Sequence, residues 1–420
     1  MAALPDALIR LKRAIPRFEF GREEETRAAM SPVSTYYLVV VPALVLTVFG
    51  LLMGFSAQAV TAIAAGENPY IAYLRPLIII VAAAVIAAFV HAAPVGVFKR
   101  LAWPAFLLAM MLQVLVITPL GRSEGGNANW VHIPGLPVLL QPSEFLKLAL
   151  VLVLAKSLTH PGARLSDWRQ MAVKAGGLTA LAILFVLLGR DMGTSMIVVA
   201  AALGALWVAG LPKRWFLVLG IAMVPVGTAL VFSNPTRLRR VLAILPGGSS
   251  RDLSAPEQID HSLWAFGSGG LSGLGPGASR EKWNYLQAAH TDFIFAIVGE
   301  EFGLLGTLAV IIALGLLVWG MLRVVQSSDD LFVQIVSGGV ASWIGIQAVV
   351  NIFSVTGIGP VIGVPLPLVS YGGSSFLFTA IAIGVVASFA RAEAGMTMWG
   401  RFDAATRRRD PRIEPKPRRV

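Results

Sequence analysis

Ten runs of about 20 mostly apolar residues dominate this 420-residue sequence, at roughly 35–56, 74–93, 101–119, 144–160, 172–189, 192–209, 215–233, 300–322, 334–353 and 374–392. That length is what an α-helix needs to cross the hydrocarbon core of a bilayer. Inside lipid every backbone N–H and C=O must be paired within its own segment, so runs of this kind have helix as their available form. The expected fold class is an all-α integral membrane protein with ten transmembrane helices. A large extracytoplasmic loop, 234–292, would lie between helices 7 and 8. The composition points the same way, with 56% hydrophobic and 14% charged residues against about 25% charged in an average soluble domain. A soluble enzyme and a disordered regulator are excluded on that ground. There is no cysteine, which removes disulfides, thiol catalysis and Cys-based zinc sites.

Lys and Arg in short loops set the orientation. Lys99, Arg100, Lys156, Arg164, Arg169, Lys174, Lys213, Arg214 and Arg323 fall on one side, and Arg75, Arg122 and Arg190 on the other. The richer side is expected to be cytoplasmic. Ten spans then leave both termini there: a head of residues 1–34, a membrane domain of 35–392 and a basic tail of 393–420. The head mixes basic with acidic side chains and does not read as a cleavable signal peptide. The net charge of +11 sits between apolar runs and in the tail, so no nucleic-acid partner is expected. Residues 234–292 carry Arg237, Arg239, Arg240, Arg251, Arg280 and Lys282 on the outer side. These cations could meet an anionic substrate such as a lipid pyrophosphate, or simply contact headgroups.

Four stretches hold polar groups at or near membrane depth, where an ionisable side chain is costly and signals function. In Gln141-Pro142-Ser143-Glu144-Phe145-Leu146-Lys147, proline suits a first helical turn. Glu144 and Lys147 are three apart and share a face, which suggests a cavity-facing pair rather than a self-neutralising one. In His290-Thr291-Asp292-Phe293, the acid precedes apolar sequence. Desolvation would raise its pKa and make it a better base near neutral pH, but an Asp there could equally cap the following helix. Glu300 and Glu301 come next. In Gly363 to Ser375 two prolines and three glycines break the apolar run, and the amides of Ser370-Tyr371-Gly372-Gly373-Ser374 could hold a phosphate. Asp191, beside Arg190, could form a salt bridge at a hairpin. The run Gly267 to Gly277 lacks the ending of a nucleotide loop and reads as flexible or re-entrant. With five His and no clear second ligand, a zinc site is not expected.

Taken together, Asn129-Trp130, Gln141-Pro142-Ser143-Glu144 with Lys147, Asp191-Met192-Gly193-Thr194, His290 to Phe295 with Glu300-Glu301, and Pro365-Leu366-Pro367 with Ser370-Tyr371-Gly372-Gly373-Ser374 resemble the SEDS family of membrane peptidoglycan polymerases. The similarity spans about residues 35–392. Within the family the chain is most similar to the division branch, through Lys282-Trp283-Asn284-Tyr285-Leu286 and Val355-Thr356-Gly357, with the elongation branch close behind. Gln287 departs from the usual proline. The resemblance implies a SEDS-type fold and polymerisation of lipid II with release of undecaprenyl pyrophosphate, an inverting transfer. Asp292 would be the catalytic base. Glu144, Lys147, Ser143, Gln141, His290, Thr291, Ser370, Tyr371, Gly372, Gly373, Ser374, Arg237, Arg239 and Arg240 would bind substrate or pyrophosphate, or tune the base. Trp130, Asp191, Glu300 and Glu301 would support them. A divalent cation, magnesium or manganese, could assist, although no ligand set for one is legible. The implied partners are lipid II, a class B penicillin-binding protein and other division-complex membrane proteins, in the bacterial cytoplasmic membrane at the septum. Two competing classes use the same residues differently: a lipid II flippase would need no base at Asp292, and a scaffold would need neither Asp292 nor the Glu144–Lys147 pair.

Overall fold

A computed structural model describes residues 31–124, 127–132, 139–160, 168–233, 238, 241, 258–283 and 285–396. A helix coincides with each of the ten apolar runs: α1 (Pro32–Ala64), α2 (Pro69–Ala92), α3 (Val95–Leu115), α4 (Pro142–Leu158), α5 (Gly177–Leu188), α6 (Met192–Val208), α7 (Lys213–Phe232), α9 (Ile294–Ser327), α10 (Leu331–Val355) and α11 (Ser374–Glu393). An additional helix, α8 (Gln258–Gly269), lies within the long loop. Among the described helices, seven are long and apolar enough to cross a membrane: α1, α2, α3, α7, α9, α10 and α11. A π-helical turn, Ala172–Gly176, leads into α5.

Local chemistry fixes the helix starts. Asn68 caps α2 by accepting from the Tyr70 and Ile71 amides at 2.9 and 3.4 Å. Asp330 does the same for α10 through the Phe332 amide at 3.0 Å. Pro142 occupies the first turn of α4, where its missing N–H leaves no hydrogen bond unmade. Ahead of it, β1 (Gly121–Glu124), β2 (Asn127–His132) and β3 (Leu139–Leu140) form a small antiparallel sheet. Trp130 pairs with Arg122, and Val131 with Leu140, so the sheet delivers the chain to Gln141.

The middle of the bundle is α4, buried along most of its length and packed by α3, α6 and α10. Helix α10 runs against α6 and α9, and α9 against α1. Close approach of α6 and α10 rests on small residues, as expected where lipid supplies no hydrophobic drive between helices. Any side chain at Gly204 would meet the Gly338 carbonyl at 3.0 Å. By contrast α7 has no buried residue, so its apolar surface is left for lipid.

Two expectations change here. The span predicted at 300–322 begins six residues earlier and is broken at Gly303 (φ 64°, ψ −159°). The glycine-rich run, read as flexible or re-entrant, is held in place rather than loose. It is stitched to that break, with the Leu274 and Gly275 amides donating to the Glu300 and Glu301 carbonyls at 2.9 and 3.0 Å, and the Leu304 and Leu305 amides returning to Gly270 and Leu271 at 2.9 and 3.2 Å. The interrupted helix leaves backbone groups free at Gly303, and the loop satisfies them.

Candidate functional site

Three loop ends meet at the top of α4 and α10. The Gln141 amide donates to Ser374 Oγ at 3.1 Å, which joins the start of α4 to the start of α11. Gln141 Nε2 reaches Asp191 Oδ2 at 3.4 Å. Ser370 Oγ donates to the Thr291 carbonyl at 2.6 Å and accepts from the Leu366 amide at 2.8 Å. The Tyr371 amide donates to the His290 carbonyl at 3.2 Å. Four segments far apart in sequence therefore close on one another.

Asp292 stands at that junction, just before α9. The Asp292 side chain does not cap that helix. The cap position of α9 is Phe293, and no side chain caps it. The Asp292 carboxylate has no hydrogen-bond or ion-pair partner among the described residues, while its main chain is held by Asn351. Burial pushes its pKa up to about 6, and the charge of Asp191 adds to the effect. Gly363, at φ 74°, lies so close that a β-carbon there would touch Asp292 Oδ2 at 3.4 Å; glycine is favoured at that positive φ. Burial likewise lowers the pKa of the His290 imidazole and favours its neutral form.

Asp191 is a buried helix cap rather than one half of a surface pair. It caps α6 by accepting from the Thr194 amide at 2.9 Å, and burial raises its carboxyl above the usual range.

The Glu144–Lys147 pair is present but differently placed from the expectation. Both side chains are almost wholly buried, at 2% and 1% exposure, so the pair faces protein rather than an open cavity. Lys147 Nζ lies 2.8 Å from Glu144 Oε2, donates to Gln347 Oε1 at 3.0 Å and sits 4.5 Å from the centre of the Trp343 ring. Burying an ion is tolerable only when it is paired; Lys147 supplies the pairing for Glu144, whose Oε2 has no hydrogen bond of its own among the described residues. Ser143, next in the chain, is buried with its hydroxyl unpartnered among the described residues.

The sequence reading missed a polar ladder on α10. Trp343 Nε1 donates to Gln347 Oε1 at 2.7 Å. Gln347 Nε2 donates to the Pro365 carbonyl at 2.9 Å. Asn351 Nδ2 donates to the carbonyls of both Asp292 and Val364 at 2.7 Å. Trp343, Gln347 and Asn351 are spaced by four, on one helix face. That spacing of polar groups inside an apolar run was the available signal.

Other expected site residues resolve as support. The amides of Ser370, Tyr371 and Gly372 are committed to the Leu366, His290 and Ser370 carbonyls, which braces that part of the proline-rich loop, while those of Gly373 and Ser374 have no backbone acceptor among the described residues. Gly373, at φ 45°, turns the chain into α11. Glu300 accepts from Ser279 Oγ at 2.5 Å and the Arg280 amide at 2.9 Å. Lys282, read as a loop cation, is instead buried in an ion pair with Glu301 at 2.7 Å. Ser56 donates to the same carboxylate at 2.8 Å. Arg237, Arg239 and Arg240 lie outside the described residues. Arg75 is exposed on α2, and its charge opposes the burial that raises the Tyr371 pKa. It heads a groove of about 480 Å³ lined by Leu74, Ile78 and Ile79 of α2 and Leu377 of α11. Among the described residues no three His, Asp or Glu side chains converge as a metal site.

Comparison with known proteins is consistent across sequence and structure. The FtsW/RodA/SpoVE family model, described as cell cycle protein, matches residues 36–395. The chain is 34% identical to stage V sporulation protein E of Bacillus subtilis over 355 residues, covering 84% of this chain and 96% of the relative. It is 34% identical to the probable peptidoglycan glycosyltransferase FtsW of Trichlorobacter lovleyi, over 81% of this chain and 89% of that one. Its fold is similar to a solved chain of a peptidoglycan synthase complex that coordinates polymerization and crosslinking, with a TM-score of 0.67, 28% identity and coverage of 84% and 97%. It is also similar to the rod shape determining protein RodA of Thermus thermophilus, with a TM-score of 0.61, 26% identity and coverage of 85% and 97%.

Proposed function

Because this chain belongs to the FtsW/RodA/SpoVE family of cell cycle proteins, we propose that it polymerises lipid II into glycan strands, with Asp292 as the general base. It is a multi-pass membrane peptidoglycan glycosyltransferase. The observation that carries the residue assignment is the Asp292 carboxylate: raised in pKa by burial, outside the helix cap, and held through its main chain rather than its oxygens.

The reaction joins two lipid-linked disaccharides. Asp292 takes the proton from the 4-hydroxyl of the acceptor GlcNAc. That oxygen bonds to the anomeric carbon of the donor MurNAc from the face opposite the leaving group. The bond from that carbon to the pyrophosphate oxygen breaks, and undecaprenyl pyrophosphate departs with the electron pair. A general base contributes about 10²–10⁴-fold. Pyrophosphate is already a good leaving group, so a nearby cation can replace the acid that a glycosidase requires. Arg75, exposed beside Tyr371, fits that part better than Lys147, which is sealed in protein. The groove below Arg75 suits a polyprenyl chain. Gln347 and Asn351 hold the loop of the base at a fixed distance from the buried pair.

The lysine- and arginine-rich ends of the bundle face the cytoplasm and carry both termini, by the positive-inside rule. Asp292 then opens to the outer side, where lipid II is consumed. A class B penicillin-binding protein crosslinks the product beside it, and similarity to FtsW-named relatives supports a place at the septum. The test is glycan synthesis from labelled lipid II by purified protein, with and without that partner. Polymer from wild type and none from Asp292→Asn, with substrate binding retained, is the expected result. Full polymerisation by the variant would remove Asp292 as the base. No polymer from folded wild type with its partner would favour the flippase or scaffold.

A further inference from the structure

A second cavity, remote from Asp292, opens at the lysine-rich end of the bundle among α3, α4 and α5. It holds about 480 Å³ and is lined by Trp103, Lys156, Ser157, Lys174, Leu178 and Leu181 among others. Lys156 comes from the last turn of α4. Lys174 comes from the π-helical turn before α5, an irregularity that often marks functional sites. Among the described residues neither ammonium has a hydrogen-bond or ion-pair partner, and no Asp or Glu lines the cavity. The Ser157 hydroxyl is buried there without a partner among the described residues. Two uncompensated cations and an unused hydroxyl converging on one cavity call for an anion with several acceptor oxygens.

The rest of the lining is apolar. Trp103 and Leu181 are 44% and 41% exposed, at an end where the surrounding helices meet lipid. A soluble anion would leave this surface unused, whereas a phosphate carrying acyl chains uses both parts. We propose that this cavity is a binding site for an anionic phospholipid of the cytoplasmic leaflet, with its phosphate between Lys156 and Lys174 and its chains over Trp103, Leu178 and Leu181. Basic pockets between transmembrane helices on the cytoplasmic side bind headgroups of this kind.

The test uses full-length protein in mixed micelles of phosphatidylglycerol and phosphatidylcholine, with retained lipid counted by native mass spectrometry. Wild type is expected to retain phosphatidylglycerol in preference to phosphatidylcholine. Each lysine near a headgroup contributes enough for about a fivefold change in affinity. Lys156→Gln and Lys174→Gln should each weaken retention by about that factor, and the double variant by about 25-fold. Lys213→Gln, on the same side but outside the cavity, should leave it unchanged. Equal retention of the two lipids, or undiminished retention by the double variant, would overturn the assignment. Displacement of the lipid by an equal concentration of glycerol phosphate would also overturn it, in favour of a soluble phosphate ligand. The readout is lipid binding, so it stands apart from any failure of the polymerase assay.

Discussion

Polymerisation should lose rate in mild acid, because the base must be ionised to work. Burial raises Asp292 to about 6. With a pKa of about 6, the ionised fraction falls from nearly all at pH 7.5 to roughly a tenth at pH 5, so the initial rate should drop about tenfold. An Asp of ordinary pKa, about 3.9, would lose only about a tenth of its ionised form over that range. The assay is the initial rate of polymer formation from labelled lipid II in detergent, with intact fold checked at each pH. Asp191→Asn supplies an internal control. The Asp191 charge raises the Asp292 pKa, so its removal should move the midpoint to lower pH. The cap on α6 survives, since Asn caps as well as Asp. Burial is the larger cause, so the midpoint should stay above the ordinary Asp value. The same shift has a stability counterpart of definite sign. A carboxyl whose folded pKa is raised contributes stability below its unfolded pKa, and that contribution is lost as pH rises through 6. At most about 3 kcal/mol is involved, from roughly two units at 1.36 kcal/mol each. Asp292→Asn should therefore melt higher than wild type above pH 6 and equally below pH 4, while making no glycan. A wild-type rate that stays flat from pH 7.5 to 5 would refute the burial argument, and an active Asp292→Asn would refute the assignment of the base.

Three other perturbations probe the scaffold. Asn351→Leu leaves the Asp292 and Val364 carbonyls without their donor, at about 1–3 kcal/mol for each stranded group; kcat should fall about 10- to 100-fold with KM within about twofold, in steady-state kinetics. Lys147→Met strands the buried Glu144 carboxylate and should cost about 3–5 kcal/mol, whereas adding Glu144→Gln should restore much of the melting temperature, a coupling that a double-mutant cycle would read directly. Gly303→Ala places a β-carbon 2.5 Å from the Gly273 nitrogen and the Leu271 carbonyl oxygen, at a φ of 64°; hydrogen exchange across residues 270–277 should accelerate and the melting temperature should drop.

The apolar runs sufficed to place the helices, because a span must be long and apolar whatever it packs against. The i,i+3 spacing of Glu144 and Lys147 likewise gave away a shared face, and the apolar sequence after Asp292 gave away its desolvation. Tertiary structure decided the partners. Whether Asp292 caps α9 or stands free depends on where Phe293 turns, which no local motif specifies. Whether the Glu144–Lys147 pair faces a cavity or protein depends on Gln347, 200 residues beyond Lys147. Lys282 reads as a substrate cation until Glu301 and Ser56 surround it. Gln347 and Asn351 look like two tolerated amides in an apolar helix until their acceptors arrive from the loops of Pro365 and Asp292. Hydrophobic periodicity tells which residues avoid water. In lipid it does not tell which helices meet, because a neighbouring helix and a lipid tail are equally apolar; small residues and buried polar pairs make that choice.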